Sequence, residues 1–104
     1  MSGSPRVCVI VNPAAGRGRG ARALPGVREA FAAVGITDIR QSTEREGEAT
    51  VAARAIAEGC DTLVAVGGDG TWSNVANAIM RSGADCRLAL VAAGTGNEIG
   101  RAHV

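Results

Sequence analysis

The sequence predicts an α/β fold in which a mostly parallel, doubly wound sheet lies between helices, giving three layers. Short apolar runs alternate with stretches whose apolar residues recur at helical spacing, so strands and helices alternate along the chain. Although 46% of the 104 residues are apolar, only Phe31 and Trp72 are aromatic, which leaves a core of small aliphatic side chains. Such a core suits parallel strands covered by alanine-rich helices, and the length is that of one domain.

Four strands and three helices account for most of the chain, in the order βαβαβαβ. The strands are expected at residues 6–11, 36–41, 63–66 and 87–92, and the helices begin near Pro25, Glu48 and Trp72 and end near Gly35, Glu58 and Ser82. Trp72 opens the apolar face of the third helix and is therefore expected in the core. Residues 98–104 resemble the opening of a fourth helix. Strands joined by helices imply right-handed crossovers and hence a parallel sheet.

The stretch that joins the third strand to the third helix carries the clearest chemical signal. It is Gly67-Gly68-Asp69-Gly70-Thr71, in which three glycines leave backbone amides bare at the start of a helix. Unpaired amides and the helix dipole make such a terminus an anion site, and phosphate is the usual anion. Asp69 places a carboxylate beside that anion, an arrangement that requires an intervening cation or a proton. The stretch therefore indicates phosphoryl chemistry; the alternative is a plain turn in which Asp69 caps the helix.

The loops that follow the other strands support this interpretation, because the carboxyl ends of parallel strands meet at one edge of a sheet. The four candidate loops are residues 12–20, 42–47, 67–71 and 93–97, and three of them are rich in glycine. Arg17 and Arg19 add positive charge to the first loop, which suits phosphate, although a solvated surface loop explains the same residues.

Composition excludes several other classes of function. The formal net charge of +1 gives no reason to expect nucleic acid as a partner. No apolar run approaches the roughly 20 residues that a membrane-spanning helix needs. Cys8, Cys60 and Cys86 are odd in number and lack the spacing of a metal site, which indicates free thiols in a reducing cytoplasm, with Cys8 in the core.

Four motifs, in order and in register, resemble those of one family. They are Asn12-Pro13-x-x-Gly16, Thr43-x-x-x-Gly47-x-Ala49, Gly67-Gly68-Asp69-Gly70-Thr71 and Gly94-Thr95-Gly96-Asn97. Together they resemble the catalytic domain of diacylglycerol kinases, a family that includes bacterial lipid kinases and has sphingosine kinases as close relatives. The glycine–aspartate element is also shared with NAD kinases and phosphofructokinases. The resemblance implies a nucleotide-binding domain followed by a β-rich domain. Residues 1–104 match only the first, so the chain looks like a truncated kinase domain without the second.

The resemblance also implies roles for individual residues, with ATP and Mg²⁺ as cofactors. Residues that would line the nucleotide or complete its site are Asn12, Gly16, Thr43, Gly94, Thr95 and Asn97. Residues that would hold the phosphates are Gly67, Gly68, Gly70 and Thr71, with Arg17 adding charge stabilisation. Asp69 would be the catalytic group and, with Glu98, would belong to the magnesium network.

By the same resemblance, the reaction is transfer of the γ-phosphoryl group of ATP to a lipid hydroxyl such as that of diacylglycerol. The resemblance implies a cytoplasmic protein that contacts a membrane surface transiently and binds its lipid through the second domain. The 104 residues alone are expected to be inactive. An apolar surface that the second domain would cover is expected to make them self-associate as a homo-oligomer.

The chain departs from the family pattern beside these motifs. The family's Asn-Glu or His-Glu pair after the glycine turn is Ser73-Asn74 here, its final Asp is Glu98, and its frequent His is Glu48. Two alternatives therefore stay open: an NAD-kinase-like enzyme with another acceptor, and an inactive nucleotide-binding module that lacks a carboxylate at Asn74. A dinucleotide-binding dehydrogenase is a weaker alternative, because residues 16–20 lack the Gly-x-Gly-x-x-Gly spacing.

Overall fold

The computed structural model describes residues 5–93 and 99–103 of the chain. The elements, in chain order, are β1 (Val7–Val11), α1 (Ala15–Ala32), β2 (Ile39–Gln41), α2 (Glu48–Ala57), β3 (Thr62–Gly67), α3 (Asp69–Ser82), β4 (Arg87–Ala93) and β5 (Ile99–His103). They form a five-stranded sheet in the order β2-β1-β3-β4-β5. The first four strands of that order are parallel, and β5 pairs antiparallel with β4. The predicted α/β class and mostly parallel sheet are confirmed.

The sheet separates two hydrophobic clusters, which makes the architecture three-layered. Successive residues of β1 point to opposite faces: Cys8 and Ile10 pack under α2 and α3, whereas Val9 packs with Val27 under α1. Burial on both faces explains why the central strands are continuous apolar runs rather than alternating ones. Among the residues described, no helix combines the length and the apolarity needed to cross a lipid bilayer.

The entry to α1 differs from the loop predicted for residues 12–20. Gly16, Arg17 and Gly18 have left-handed backbone angles, with φ of 60°, 59° and 91°, so a turn does interrupt this stretch. The chain is helical again from Arg19 onward, and Pro25 lies inside α1 instead of in its first turn. The helix begins early because Gly20 is buried against the loop: a methyl group there would lie 1.9 Å from the carbonyl oxygen of Asn12. Only glycine permits that approach.

Two further expectations are wrong. Residues 99–103 form β5 and not a helix, because the connection from β4 is too short for a crossover and a strand that returns directly can only pair antiparallel. Trp72 is 40% exposed rather than in the core. The buried positions of α3 are Thr71, Val75 and Ala78, so the face that meets the sheet is rotated by one residue from the predicted face.

Candidate functional site

Two adjoining depressions lie where the carboxyl ends of β1 and β3 meet the starts of α2 and α3. The smaller, of about 330 Å³, is lined by Asn12, Ala15, Gly16, Glu48, Gly68, Gly70, Thr71 and Asn74. The larger, of about 590 Å³, is lined by Asn12, Pro13, Ala14, Ser42, Thr43, Glu44, Gly47 and Glu48. Asn12 and Glu48 belong to both and form the boundary between them. The topology therefore gathers the first three predicted loops at one edge of the sheet.

The start of α3 has the features of an anion site. The first helical hydrogen bond is the one that the Trp72 amide donates to the Gly68 carbonyl, at 3.0 Å. Within the described part of the chain, the amides of the three preceding residues, 69–71, have no hydrogen-bond acceptor. A methyl group at Gly68 or Gly70 would meet no atom of the described residues within 4 Å, so both glycines border open space in that part of the chain. Unpaired amides beside open space, at the positive end of a helix dipole, favour a bound anion.

Gly67 contributes in a different way. It is buried at the end of β3, and a methyl group there would lie 2.6 Å from the hydroxyl oxygen of Thr71. Its missing side chain therefore allows α3 to start close against the strand rather than leaving room for a ligand. The glycine turn thus holds two kinds of glycine, one that permits packing and two that border the smaller depression.

Glu48 is the hub of the side-chain network at this edge. It is the first residue of α2 and only 8% exposed. One carboxylate oxygen, Oε2, accepts hydrogen bonds from Asn12 Nδ2 at 2.8 Å and from the Thr71 hydroxyl at 2.9 Å. The other, Oε1, accepts one from Asn74 Nδ2 at 3.0 Å. The carboxylate therefore joins the loop after β1 to the beginning of α3.

The charge of Glu48 follows from these contacts. Burial acts to raise the pKa of Glu48, but the hydrogen bonds from Asn12, Asn74 and Thr71 together outweigh burial and hold the pKa below its ordinary value. Its place in the first turn of α2 acts in the same direction, because the positive end of the helix dipole favours the anion. Glu48 is thus a buried negative charge at neutral pH.

Glu48 was not among the residues that the sequence singled out for the site. A signal was present: Val51, Ala52 and Ala55 follow Glu48 at intervals of three, four and seven residues, and all three are buried. A helix with this spacing carries its first residue on the same inward face. What the pattern cannot give is the identity of the three donors, which come from elements distant in sequence.

Other predicted site residues lie around this network with different contacts. Thr43 lines the larger depression, and its hydroxyl accepts a hydrogen bond from the Glu46 amide at 2.9 Å. Asp69 is the exposed first residue of α3 and Arg17 is exposed, and neither lines the two depressions. The helix cap proposed as the alternative role of Asp69 is not formed, because Gly68 is the N-cap residue. Gly94, Thr95, Asn97 and Glu98 lie outside the described residues.

The opposite edge of the sheet carries a second group of polar side chains. Potential ligand atoms of Cys8, Asp38 and Cys60 lie within 4.8 Å of one another. The Arg40 guanidinium already donates to both Asp38 oxygens, at 2.9 and 3.0 Å. Burial raises the pKa of the Cys8 thiol to about 12, so it stays protonated. These features argue against a metal there, and Cys8 is the inert core thiol that the sequence predicted.

Comparisons with known proteins agree on one family. The family described as "Diacylglycerol kinase catalytic domain" matches residues 6–103. A diacylglycerol kinase of Staphylococcus haemolyticus is 38% identical over 95 residues, which is 90% of this chain and 29% of that protein. A diacylglycerol kinase of Staphylococcus saprophyticus is 37% identical over 98 residues, covering 93% of this chain and 32% of that protein. The chain therefore spans about a third of the length of these curated relatives.

Solved structures give the same result. Two structures of a candidate diacylglycerol kinase from Bacillus anthracis superpose with TM-scores of 0.63 and 0.65. Their sequences are 33% and 31% identical to this chain, and the matches span 88% and 93% of it. This chain in turn spans 33% of each of those structures.

Proposed function

This chain belongs to the diacylglycerol kinase catalytic domain family, and we propose that it is the nucleotide-binding part of an ATP-dependent lipid kinase. The observation that carries the proposal is the start of α3, where three amides without acceptors among the described residues lie beside Gly68 and Gly70. An anion of the size and charge of a polyphosphate suits this terminus, because the amides and the helix dipole act on it together.

The two depressions suggest how the nucleotide is divided between them. In our proposal the smaller depression, with its glycines, takes the phosphates. The larger one, with Pro13, Ala14 and Thr43, takes the nucleoside. Asn12 lies on the boundary, where its amide faces both parts of the ligand. Gly94, Thr95 and Asn97 are proposed to complete the site.

The residues at the start of α3 also fit a magnesium ion. Asp69 is exposed at the helix terminus, and its oxygens accept no hydrogen bond from the described residues, so they are available to a hard cation. We propose that Asp69, together with Glu98, holds Mg²⁺. When bound, the ion would neutralise charge on the phosphoryl oxygens. Arg17 would add positive charge, and the backbone amides would hold the phosphates in place.

The acceptor is proposed to be a lipid hydroxyl such as that of diacylglycerol, reached by transient contact with a membrane surface in the cytoplasm. In this proposal a second, β-rich domain supplies the lipid site, and the 104 residues alone have negligible kinase activity. Self-association of the chain remains a prediction, which sedimentation at high protein concentration would test.

The activity is tested in a chimera. Residues 6–103 replace the matching segment of the Staphylococcus haemolyticus enzyme, and phosphorylation of diacylglycerol is measured beside phosphorylation of NAD. We expect lipid phosphorylation that depends on Mg²⁺, and Asp69→Asn should lower turnover by roughly a hundredfold or more while leaving the fold intact, because Asn has the shape but not the charge or basicity of Asp. Near-normal turnover in Asp69→Asn would contradict the catalytic role. A folded chimera that binds ATP without turnover would favour the inactive module, and phosphorylation of NAD in place of lipid would favour the NAD-kinase-like enzyme.

A further inference from the structure

Glu48 is the one charged side chain that is buried in the part of the chain whose burial is described. The three side chains that donate to it from the described residues are all neutral. Burying a carboxylate against neutral partners is costly unless every donor is well placed. Because Glu48 lines both depressions, this buried carboxylate is part of the candidate ligand site.

Glu48 determines which way the Asn12 amide faces. Asn12 Nδ2 donates to Glu48, while Asn12 Oδ1 accepts a hydrogen bond from the Ala14 amide at 2.9 Å. An acceptor on one side and a donor on the other leave the Asn12 amide a single orientation. Its second N–H hydrogen therefore stays available on the boundary between the depressions.

Glu48 also fixes the start of α3. The hydroxyl of Thr71 has one hydrogen, and Thr71 donates it to Glu48. Thr71 follows Gly70 directly, so this bond holds the unpaired amides of α3 at a set distance from Asn12. The smaller depression is the space between these two groups.

We propose that Glu48 is a positioning residue for the nucleotide, which sets the width of the phosphate depression by the reach of its carboxylate rather than by its charge. The inference rests on the proposed function. It predicts that removing the charge of Glu48 weakens nucleotide binding less than shortening its side chain does. A glutamine has the same reach: its Oε1 can accept from Asn12 and Thr71, and the exposed Asn74 amide can turn over to accept from its Nε2. An aspartate keeps the charge but is one methylene too short to reach both donors.

The test measures the Kd of ATP with excess Mg²⁺ by calorimetry on the 104-residue chain, at a temperature where circular dichroism shows each variant folded. Glu48→Gln should bind within about threefold of the unchanged chain, and Glu48→Asp should bind about tenfold or more weakly. Glu48→Met, which fills a similar volume without an acceptor, should resemble the Asp variant and replaces it if that variant does not fold. The matched control is Glu46→Gln, which removes an exposed carboxylate two residues earlier that pairs with Arg54, and should leave affinity unchanged.

The outcomes separate this inference from the function on which it rests. Tight binding by the unchanged chain with equal affinity in Glu48→Asp and Glu48→Met would overturn the positioning role alone. Weak binding in Glu48→Gln with normal binding in Glu48→Asp would also overturn it, since charge and not reach would then matter. Absence of ATP binding by the unchanged, folded chain would overturn the proposed function and this inference together.

Discussion

At the carboxyl edge of the sheet, where the strands end, Glu48 accepts hydrogen bonds from three neutral groups. At the amino edge, where the strands begin, Asp38 accepts two hydrogen bonds from the Arg40 guanidinium and a third from the Cys60 thiol at 4.0 Å. Arg40 also donates to Glu58 at 2.7 Å, so one guanidinium pairs with two carboxylates at the amino edge. Hydrogen bonds hold the pKa of both carboxyl groups below its usual range. For Asp38 these bonds come from Arg40. For Glu48 burial acts to raise the pKa, but the three neutral donors together outweigh it.

The difference lies in what surrounds each carboxylate. At the amino edge the charged side chains pair with one another. Burial raises the pKa of the neighbouring thiols, which stay protonated, so this edge contributes to packing. Within residues 5–93 and 99–103, the carboxyl edge has amides without acceptors, two depressions and a carboxylate that no cationic side chain contacts. Unpaired amides beside open space suit an anionic ligand, and this contrast is the physical reason to place the function at the carboxyl edge.

The largest effect is expected from adding a side chain at the close contact between Gly20 and Asn12, which positions Asn12 at the carboxyl edge. In Gly20→Ala the new methyl group would lie 1.9 Å from the Asn12 carbonyl oxygen, and backbone atoms cannot move aside as a flexible side chain can. Overpacking of this kind should cost about 3 kcal/mol and displace Asn12. Thermal unfolding measures the loss; an unchanged midpoint would show that the loop adapts freely and that Asn12 is not fixed by this approach.

The next prediction tests whether the open space beside Gly70 is occupied by the ligand. Gly70→Ala adds to a helix a methyl group that lies more than 4 Å from every atom in the described part of the chain, so stability should stay the same or rise by about 0.5 kcal/mol. The methyl group enters the smaller depression, so ATP affinity should fall by about tenfold or more. Ser73→Ala is the control, because Ser73 is exposed on the same helix and lines neither depression. Equal affinity in both variants would mean that the phosphates do not lie on α3.

The smallest effect is expected at the amino edge. Asp38→Asn removes the carboxylate from Arg40, and because the Asp38 side chain is 37% exposed the cost at pH 7 should be about 0.5–1 kcal/mol. The folded-state pKa of Asp38 is lowered, so its contribution is present above the unfolded pKa near 4 and is lost as the pH falls through the folded value. The difference in stability between wild type and variant should therefore be full at neutral pH, shrink as the pH falls below about 4, and vanish below the folded-state pKa. ATP affinity should not change, and a change would contradict the independence of the two edges.

The parts of the fold that follow from local pattern could be read from the sequence. The apolar runs of β1 and β3 appear where they were predicted, because burial on both faces leaves little choice of residue. The glycine turn is shorter than predicted, since Asp69, Gly70 and Thr71 already belong to α3. The parallel pairing followed from the alternation of strands and helices.

The parts that depend on partners distant in sequence could not be read in this way. Trp72 fits a helical apolar face, yet the polar Thr71 takes the buried position because Glu48 is there to accept its hydroxyl hydrogen. Residues 99–103 form a strand because β4 has a free edge for them to pair with. Glu48 is distinguished by three donors that tertiary structure alone brings together, so the sequence indicated the anion site but not the residue that holds its two sides.

The nucleotide is proposed to bind at the carboxyl edge through the start of α3. The most direct measurement is a nuclear magnetic resonance titration of the ¹⁵N-labelled 104-residue chain with ATP and Mg²⁺, following the amide shifts of both edges. We expect the largest changes at Gly68, Gly70 and Thr71, smaller ones around Asn12 and Glu48, and none around Cys8, Asp38 and Cys60. Shifts concentrated at the amino edge, or no change at the amides of 68–71 on saturation, would contradict the claim.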